Sequence, residues 1–263
     1  MSITTRAAFE VIIVALAGAF IGVHIILRRL PFLAVALAHG SFPGIIVASW
    51  IGIAPLAGAL GLSWLLVALL LVTGQLKVID QNTGIGVLLA GSLGIGALLQ
   101  GLQSRPAVTL ASLLTGNLLG TTDADLIISA AVGLTVVAFL IVTHKELMLG
   151  AFDPEAAAAL GYGRTLDTLL LIAIASVVVV TLPAMGAVLS IALLTVPAMT
   201  ARLWSDRSVT TFAIAAVIGL AAGLVGLQIS RTYDIAAGGA IALTAAAAYF
   251  VSWFTAPHGR RAH

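Results

Sequence analysis

The chain has 263 residues, 61% hydrophobic and only 8% charged, with a formal net charge of +2. Soluble domains carry about a quarter charged residues, so a soluble fold, or a soluble domain on one anchor, is excluded. Mean hydropathy is +1.18 and the pI about 9.4, but the basic residues stand singly or in pairs, which rules out a nucleic-acid surface, and with no cysteine any metal contact falls to His, carboxylate, carbonyl or hydroxyl groups.

The first apolar run, from Ala7 to Leu27, ends in Arg28 and Arg29 and has no small-residue cleavage site. It reads as a retained helix and not as a signal peptide. Stretches of about 20 apolar residues follow along the rest of the chain. They predict helices over 8–27, 32–50, 55–76, 83–102, 124–143, 165–183, 185–204, 209–229 and 235–255, with a break near Pro183. The fold class expected is therefore all-α, a polytopic helical bundle of about nine spans. Residues 1–263 read as one transmembrane domain. The segment from Pro106 to Gly120 is apolar but too short to cross, and is expected to be a half-helix at one face.

Lys and Arg in the loops set the orientation. Arg28, Arg29, Lys77, Lys145, Arg164, Arg202, Arg207, Arg260 and Arg261 fall on one side of this arrangement, and Arg6, Arg105 and Arg231 on the other. The richer side is cytoplasmic, which puts the N-terminus outside and the C-terminus inside. The longest charged connection, HKELMLGAFDPEAAAALGYGR from His144 to Arg164, then lies in the cytoplasm. Within it Asp153 is an expected N-cap, Pro154 and Glu155 occupy the first turn, and Gly161 and Gly163 are stop signals for a short helix outside the membrane. That helix is either an ordinary connector or a docking element for another protein.

Ionisable groups inside a membrane are costly and mark pathways by default. The acidic residues, including Glu10, Asp123, Asp125 and Asp234, all fall near predicted helix ends or in loops, leaving no carboxylate for a mid-span proton relay. His39 is different. It sits inside the second span in VALAHGSFPG, followed closely by Gly40, Pro43 and Gly44, residues that free carbonyls and let helices approach. It is either a ligand to a passing divalent ion or a neutral imidazole bonded between helices. His24, one turn before Arg28, reads as interfacial. No HExxH pair, GxSxG elbow or phosphate-binding GxxxxGK[ST] loop is present. The chain is accordingly expected not to be an enzyme, and the glycines of TGIGVLLAG and GSLGIG to serve helix packing.

Five strings in order resemble the permeases of zinc, manganese and iron ABC importers. They are LRRLPFLAVALAHGSFPGI, LLTGNLLGTTDADL, KELMLGAFDPEAAAALGY, MGAVLSIALLTVPAMTARLWSDR and SRTYDIAAGGAIAL. The resemblance implies that the helix from Asp153 to Gly161 is a coupling helix seated in a cytoplasmic ATPase, with Asp153 and Glu155 capping it or facing that partner. It implies that His39 faces a metal pathway between two copies of the chain, and the expected site is a pair of His39 side chains across the dimer axis, helped by Ser41 or backbone carbonyls. It also implies two ATPase subunits that bind the ATP, an extracytoplasmic metal-binding protein, a bacterial or archaeal cytoplasmic membrane, and no cofactor other than the transported manganese, zinc or iron. Two positions depart from the pattern. Val35 stands where the family has an Asp four residues before the His, and Gln81 and Asn82 stand where it has carboxylate. An Asp and a His at i and i+4 share a helix face and can grip one ion; Val35 and His39 cannot. The alternative is an ion-coupled carrier or channel acting without an ATPase, which predicts an inverted repeat.

Overall fold

A computed structural model describes residues 3–73, 81–102 and 115–256. Its α-helices are α1 (Ile3–Leu27), α2 (Pro31–Gly40), α3 (Phe42–Ile51), α4 (Pro55–Thr73), α5 (Gln81–Gly101), α6 (Asp123–Val142), α7 (His144–Phe152), α8 (Pro154–Ala159), α9 (Gly163–Trp204), α10 (Ser208–Tyr233) and α11 (Ala237–Thr255). No strand occurs among the described residues. Lys77, Asp80, Arg105, Arg260, Arg261 and the 106–114 part of the expected half-helix lie outside the described residues. Of that segment Thr115 is helical and the chain then leaves the helix. It turns at Gly116, which has φ +62, and closes as a single 3-10 turn at Leu118–Gly120, where Asn117 Oδ1 accepts from Gly120 N at 3.0 Å.

Eight helices among the described residues, with α2 and α3 taken together, are long and apolar enough to cross a membrane. One of them is α9, whose 42 residues would measure about 63 Å, twice the hydrocarbon core. Its dihedrals leave the helical region at Gly186, with φ 71 and ψ 168, so the run is two helices, 163–185 and 187–204. The expected break is therefore real but falls at Gly186, three residues past Pro183, which stays helical. Glycine alone adopts that conformation without strain. The expected span over 32–50 is likewise interrupted, at Ser41, between Gly40 and Pro43.

Two compact units make up the chain, each built from separated segments. The first contains residues 1–30, 115–140 and 183–263. In it α10 runs antiparallel along α1, matching Val11 with Gly223, Ala15 with Gly219, and Phe20 with Phe212. The 187–204 part of α9 lies parallel to α1: a Cβ built at Gly18 would be 3.1 Å from Leu193 O, and one at Gly22 would overlap Leu194 O. Lipid supplies no hydrophobic drive between helices, so such backbone approach and the van der Waals contact it allows hold the unit together. Ala19, Val23, Ala198, Ala201, Phe212 and Ala215 form its buried cluster.

The second unit contains residues 31–114 and 141–182. Its α3 and α4 cross where Gly44 and Gly58 face each other; a Cβ on either would overlap the other's carbonyl. Gly96 of α5 admits Phe42, 2.7 Å from where its Cβ would stand. Trp64 of α4 donates its indole N–H to Ser176 Oγ at 3.1 Å, tying α4 to the first half of α9.

Candidate functional site

His39 stands one residue from the end of α2, and the small residues after it decide how closely that helix end packs. A Cβ at Gly40 would lie 2.7 Å from Leu66 and 3.0 Å from Ser92 Oγ, so α4 and α5 press directly on this turn. The imidazole is half-buried, with Nδ1 3.0 Å from the carbonyl oxygen of Val35. A carbonyl only accepts, so Nδ1 carries the proton and Nε2 keeps its lone pair. That arrangement is the usual one for a metal-binding histidine, whose far nitrogen is fixed by a carbonyl or carboxylate. Val35 thus supplies backbone orientation, although its side chain removes the carboxylate. Ser41 is fully buried and donates to Ala38 O at 3.0 Å. Its proton serves the α2–α3 turn, and only its lone pairs remain for another role.

No group of three or more His, Asp or Glu able to hold a metal occurs among the described residues. A groove of about 330 Å³ in the same unit, lined by Pro43, Val47, Gly61, Leu65, Ile95 and Leu99 among others, has no polar side chain to offer a cation. His24, one turn before Arg28, is fully buried, its ring 5.7 Å from that of Phe212, because α10 covers that end of α1.

Glu10 departs from the expected place near a helix end: α1 begins at Ile3, and Glu10 lies two turns inside it, fully buried, its Oε1 accepting from Ser129 Oγ at 2.8 Å and its Oε2 without a partner. One helical turn earlier, Arg6 pairs with Asp123 through two bonds of 2.6 and 2.7 Å. The available signal was the i, i+4 spacing of Arg6 and Glu10 at the head of an apolar run, opposite an Asp and a Ser heading another.

The expected short helix outside the membrane is α8. Asp153 caps it, with Oδ1 accepting from Ala156 N at 3.0 Å, and Pro154 occupies the first turn, where no N–H is missed. Gly161, at φ +80, ends it, and the N–H groups of Gly161 and Tyr162 bond to Ala158 O and Ala157 O, each at 3.0 Å. Ala157 is buried, whereas Asp153, Glu155 and Gly161 are exposed. Phe152 precedes the cap and Leu160 and Tyr162 follow the last turn, large apolar side chains that are 68%, 63% and 43% exposed at the two ends of this six-residue helix. Sequence reasoning missed them because each sits at a helix boundary, outside any periodic stripe.

A profile of the ABC 3 transport family matches residues 1–256. The manganese import system permease protein ScaB of Streptococcus gordonii is 30% identical over 97% of this chain and 92% of its own length. The manganese transport system membrane protein MntC of Halalkalibacterium halodurans is 30% identical over 96% of this chain and 87% of its own. Among solved structures, PsaBC from Streptococcus pneumoniae in complex with Fab superposes with a TM-score of 0.87 at 28% identity, covering 99% of this chain and 94% of that one.

Proposed function

We propose, from the premise that this chain belongs to the ABC 3 transport family, that it is the membrane-spanning permease of an ATP-driven importer of divalent transition-metal ions, with manganese the first cargo to test. The observation that carries this reading is the similarity to manganese permeases, which runs over 97% and 96% of the chain. Zinc and ferrous iron are the further cargoes. The whole chain acts as one permease domain, in a bacterial or archaeal cytoplasmic membrane, with its N-terminus outside and its C-terminus in the cytoplasm. Of the arginines that set this orientation, Arg28 and Arg29 follow α1, Arg164 and Arg202 lie in the end turns of α9, and Arg207 precedes α10.

The chain is a transport subunit and not a hydrolase. ATP is bound by a cytoplasmic ATPase dimer, and α8 docks on it through Asp153, Pro154, Glu155 and Gly161, with Phe152, Leu160 and Tyr162 as apolar anchors. An extracytoplasmic binding protein delivers the ion. His39 receives it, Nε2 forward, opposite the His39 of a second copy, and the buried oxygen of Ser41 stands beside the turn that aims it. One imidazole from each copy is a weak pair for manganese, which prefers oxygen. Weakness suits a pathway, since conduction requires that the ion leave, and selection is delegated to the binding protein.

The test is manganese uptake into vesicles holding the permease, its ATPase and the binding protein. His39→Ala is expected to lower uptake strongly while the complex stays assembled; undiminished uptake would reject the His39 pathway. Glu10 supplies the buried carboxylate that an ion-coupled carrier would need, so uptake is measured with and without ATP. Accumulation driven by an ion gradient alone would replace the importer with that carrier.

A further inference from the structure

Arginines that the sequence scatters singly or in pairs are gathered by the fold where three helix ends of the first unit meet. Ile26 and Leu27, which close α1, pack against the cluster that contains Ala201 and Phe212. Arg28 follows Leu27 directly, Arg202 follows Ala201 in the last turn of α9, and Arg207 immediately precedes α10. With Arg29 the junction carries four arginines against one carboxylate, Asp206, among residues 24–30 and 198–212. Asp206 stands 3.7 Å from Arg202 in a pair whose side chains are 32% and 68% exposed. Exposed pairs of this kind are weak, so the arginine stays available to another anion.

Arg29 is kept there at a conformational cost. Its φ is +58, in the left-handed region, and the turn closes with the N–H of Arg29 on Ile26 O at 3.1 Å and that of Leu30 on Ile25 O at 2.8 Å. Glycine ordinarily makes this helix ending, because it has no Cβ to strain. Strain held by another residue is evidence that its side chain has a use. Arg29 is exposed, so that use lies outside the fold.

The surface beside the junction is apolar and aromatic. Trp204 and Val209 are exposed, and each lies two residues from an arginine. The last helix, α11, returns antiparallel along α10 with Ile241 against Gly226, which brings its final turns level with the first turns of α10. Those turns carry Tyr249, Phe250, Trp253 and Phe254, packed ring against ring. Aromatic side chains collect where a membrane helix passes through the lipid headgroups. We propose that the junction binds the headgroup of an anionic phospholipid, with Arg28, Arg29, Arg202 and Arg207 taking its phosphate and Trp204 and Val209 meeting its acyl chains. Guanidinium groups match phosphate with paired N–H donors, and basic pockets between membrane helices are suited to such headgroups. The proposal needs only that these helices cross the bilayer, and is independent of the cargo. A bound lipid bridges three helix ends and therefore raises thermal stability.

The experiment is native mass spectrometry of the detergent-solubilised full chain, titrated with phosphatidylglycerol, phosphatidylcholine or inorganic phosphate. Phosphatidylglycerol is expected to bind more tightly than phosphatidylcholine and to raise the Tm further. Arg28→Gln, Arg202→Gln and Arg207→Gln are each expected to weaken its binding about fivefold, the worth of one arginine at a lipid surface. Arg164→Gln, at the head of α9 in the other unit, is expected to leave it unchanged. Arg29→Gly separates binding from folding. Glycine relieves the backbone, so the Tm in phosphatidylcholine is expected to rise while affinity for phosphatidylglycerol falls about fivefold. Equal binding of the two lipids, or an equal loss with Arg164→Gln, overturns the site. Displacement of the lipid by inorganic phosphate at the lipid's own concentration assigns a free anion and overturns it as a lipid site. Unchanged phosphatidylglycerol affinity in all four arginine variants overturns it too, and weaker association with the ATPase in those variants would give the arginines to that protein instead.

Discussion

Replacing Asp153 by Ala tests whether α8 is a docking helix whose shape matters. The substitution removes the bond from Ala156 N to Asp153 Oδ1, 3.0 Å long and exposed. Loss of such a cap costs about 1 kcal/mol. A helix of six residues cannot absorb that loss, being far shorter than one that stands alone in water. If the ATPase recognises the formed helix, the loss appears as weaker association, about fivefold at 1.4 kcal/mol per decade. Asp153→Asn keeps an acceptor at the cap and removes the charge, so it is expected to bind nearly as the parent does. The assay is titration of the isolated ATPase subunit onto the permease in nanodiscs, followed by fluorescence anisotropy. Equal weakening by Asn and Ala would show that the carboxylate charge is used and the cap is not; parental affinity with Ala would show that α8 is no part of the docking surface.

Three further outcomes follow from the packing. Restoring the carboxylate with Val35→Asp gives His39 an i, i+4 partner, and is expected to lower the KM for manganese uptake together with the maximal rate, because the ion is held longer; a faster rate would contradict the weak-site reading. Gly44→Val places side-chain atoms in the Gly58 carbonyl and is expected to lose about 1–3 kcal/mol, read as a lower Tm in nanodiscs, whereas Gly61→Ala, with nothing within 4 Å of its Cβ, leaves the Tm unchanged. A double-mutant cycle on Glu10→Ala and Ser129→Ala is expected to give a coupling of about 0.6–1.7 kcal/mol, the range for interhelical hydrogen bonds in membranes, and zero coupling would mean that the 2.8 Å bond contributes nothing.

Much of this protein is legible in sequence because the bilayer is a demanding solvent. Every backbone group must be bonded within its own segment, so a run of about 20 apolar residues can only be a helix. Length and composition alone therefore determined the helical class and nearly all the spans. The capped α8 was equally readable, since Asp153, Pro154 and Gly161 act on their own neighbours and need no tertiary partner. So was His39 as an anomaly in an apolar helix, though not its proton: only the 3.0 Å approach of Val35 O leaves Nε2 as the free nitrogen.

Contacts between segments far apart in the chain were decided by the tertiary structure alone. Glu10 was hidden because burial depends on which helix covers a residue, and Ser129 lies 119 positions away. The burial of His24 was hidden for the same reason, since Phe212 of α10 covers it. Proline at 183 signalled a break, but the helix gives way at Gly186, where glycine can take φ +71 and the backbone of Gly116 packs against it. Local chemistry is written in adjacent residues, whereas close approach of two backbones is a property of pairs, and a single sequence names the glycines without saying which ones meet.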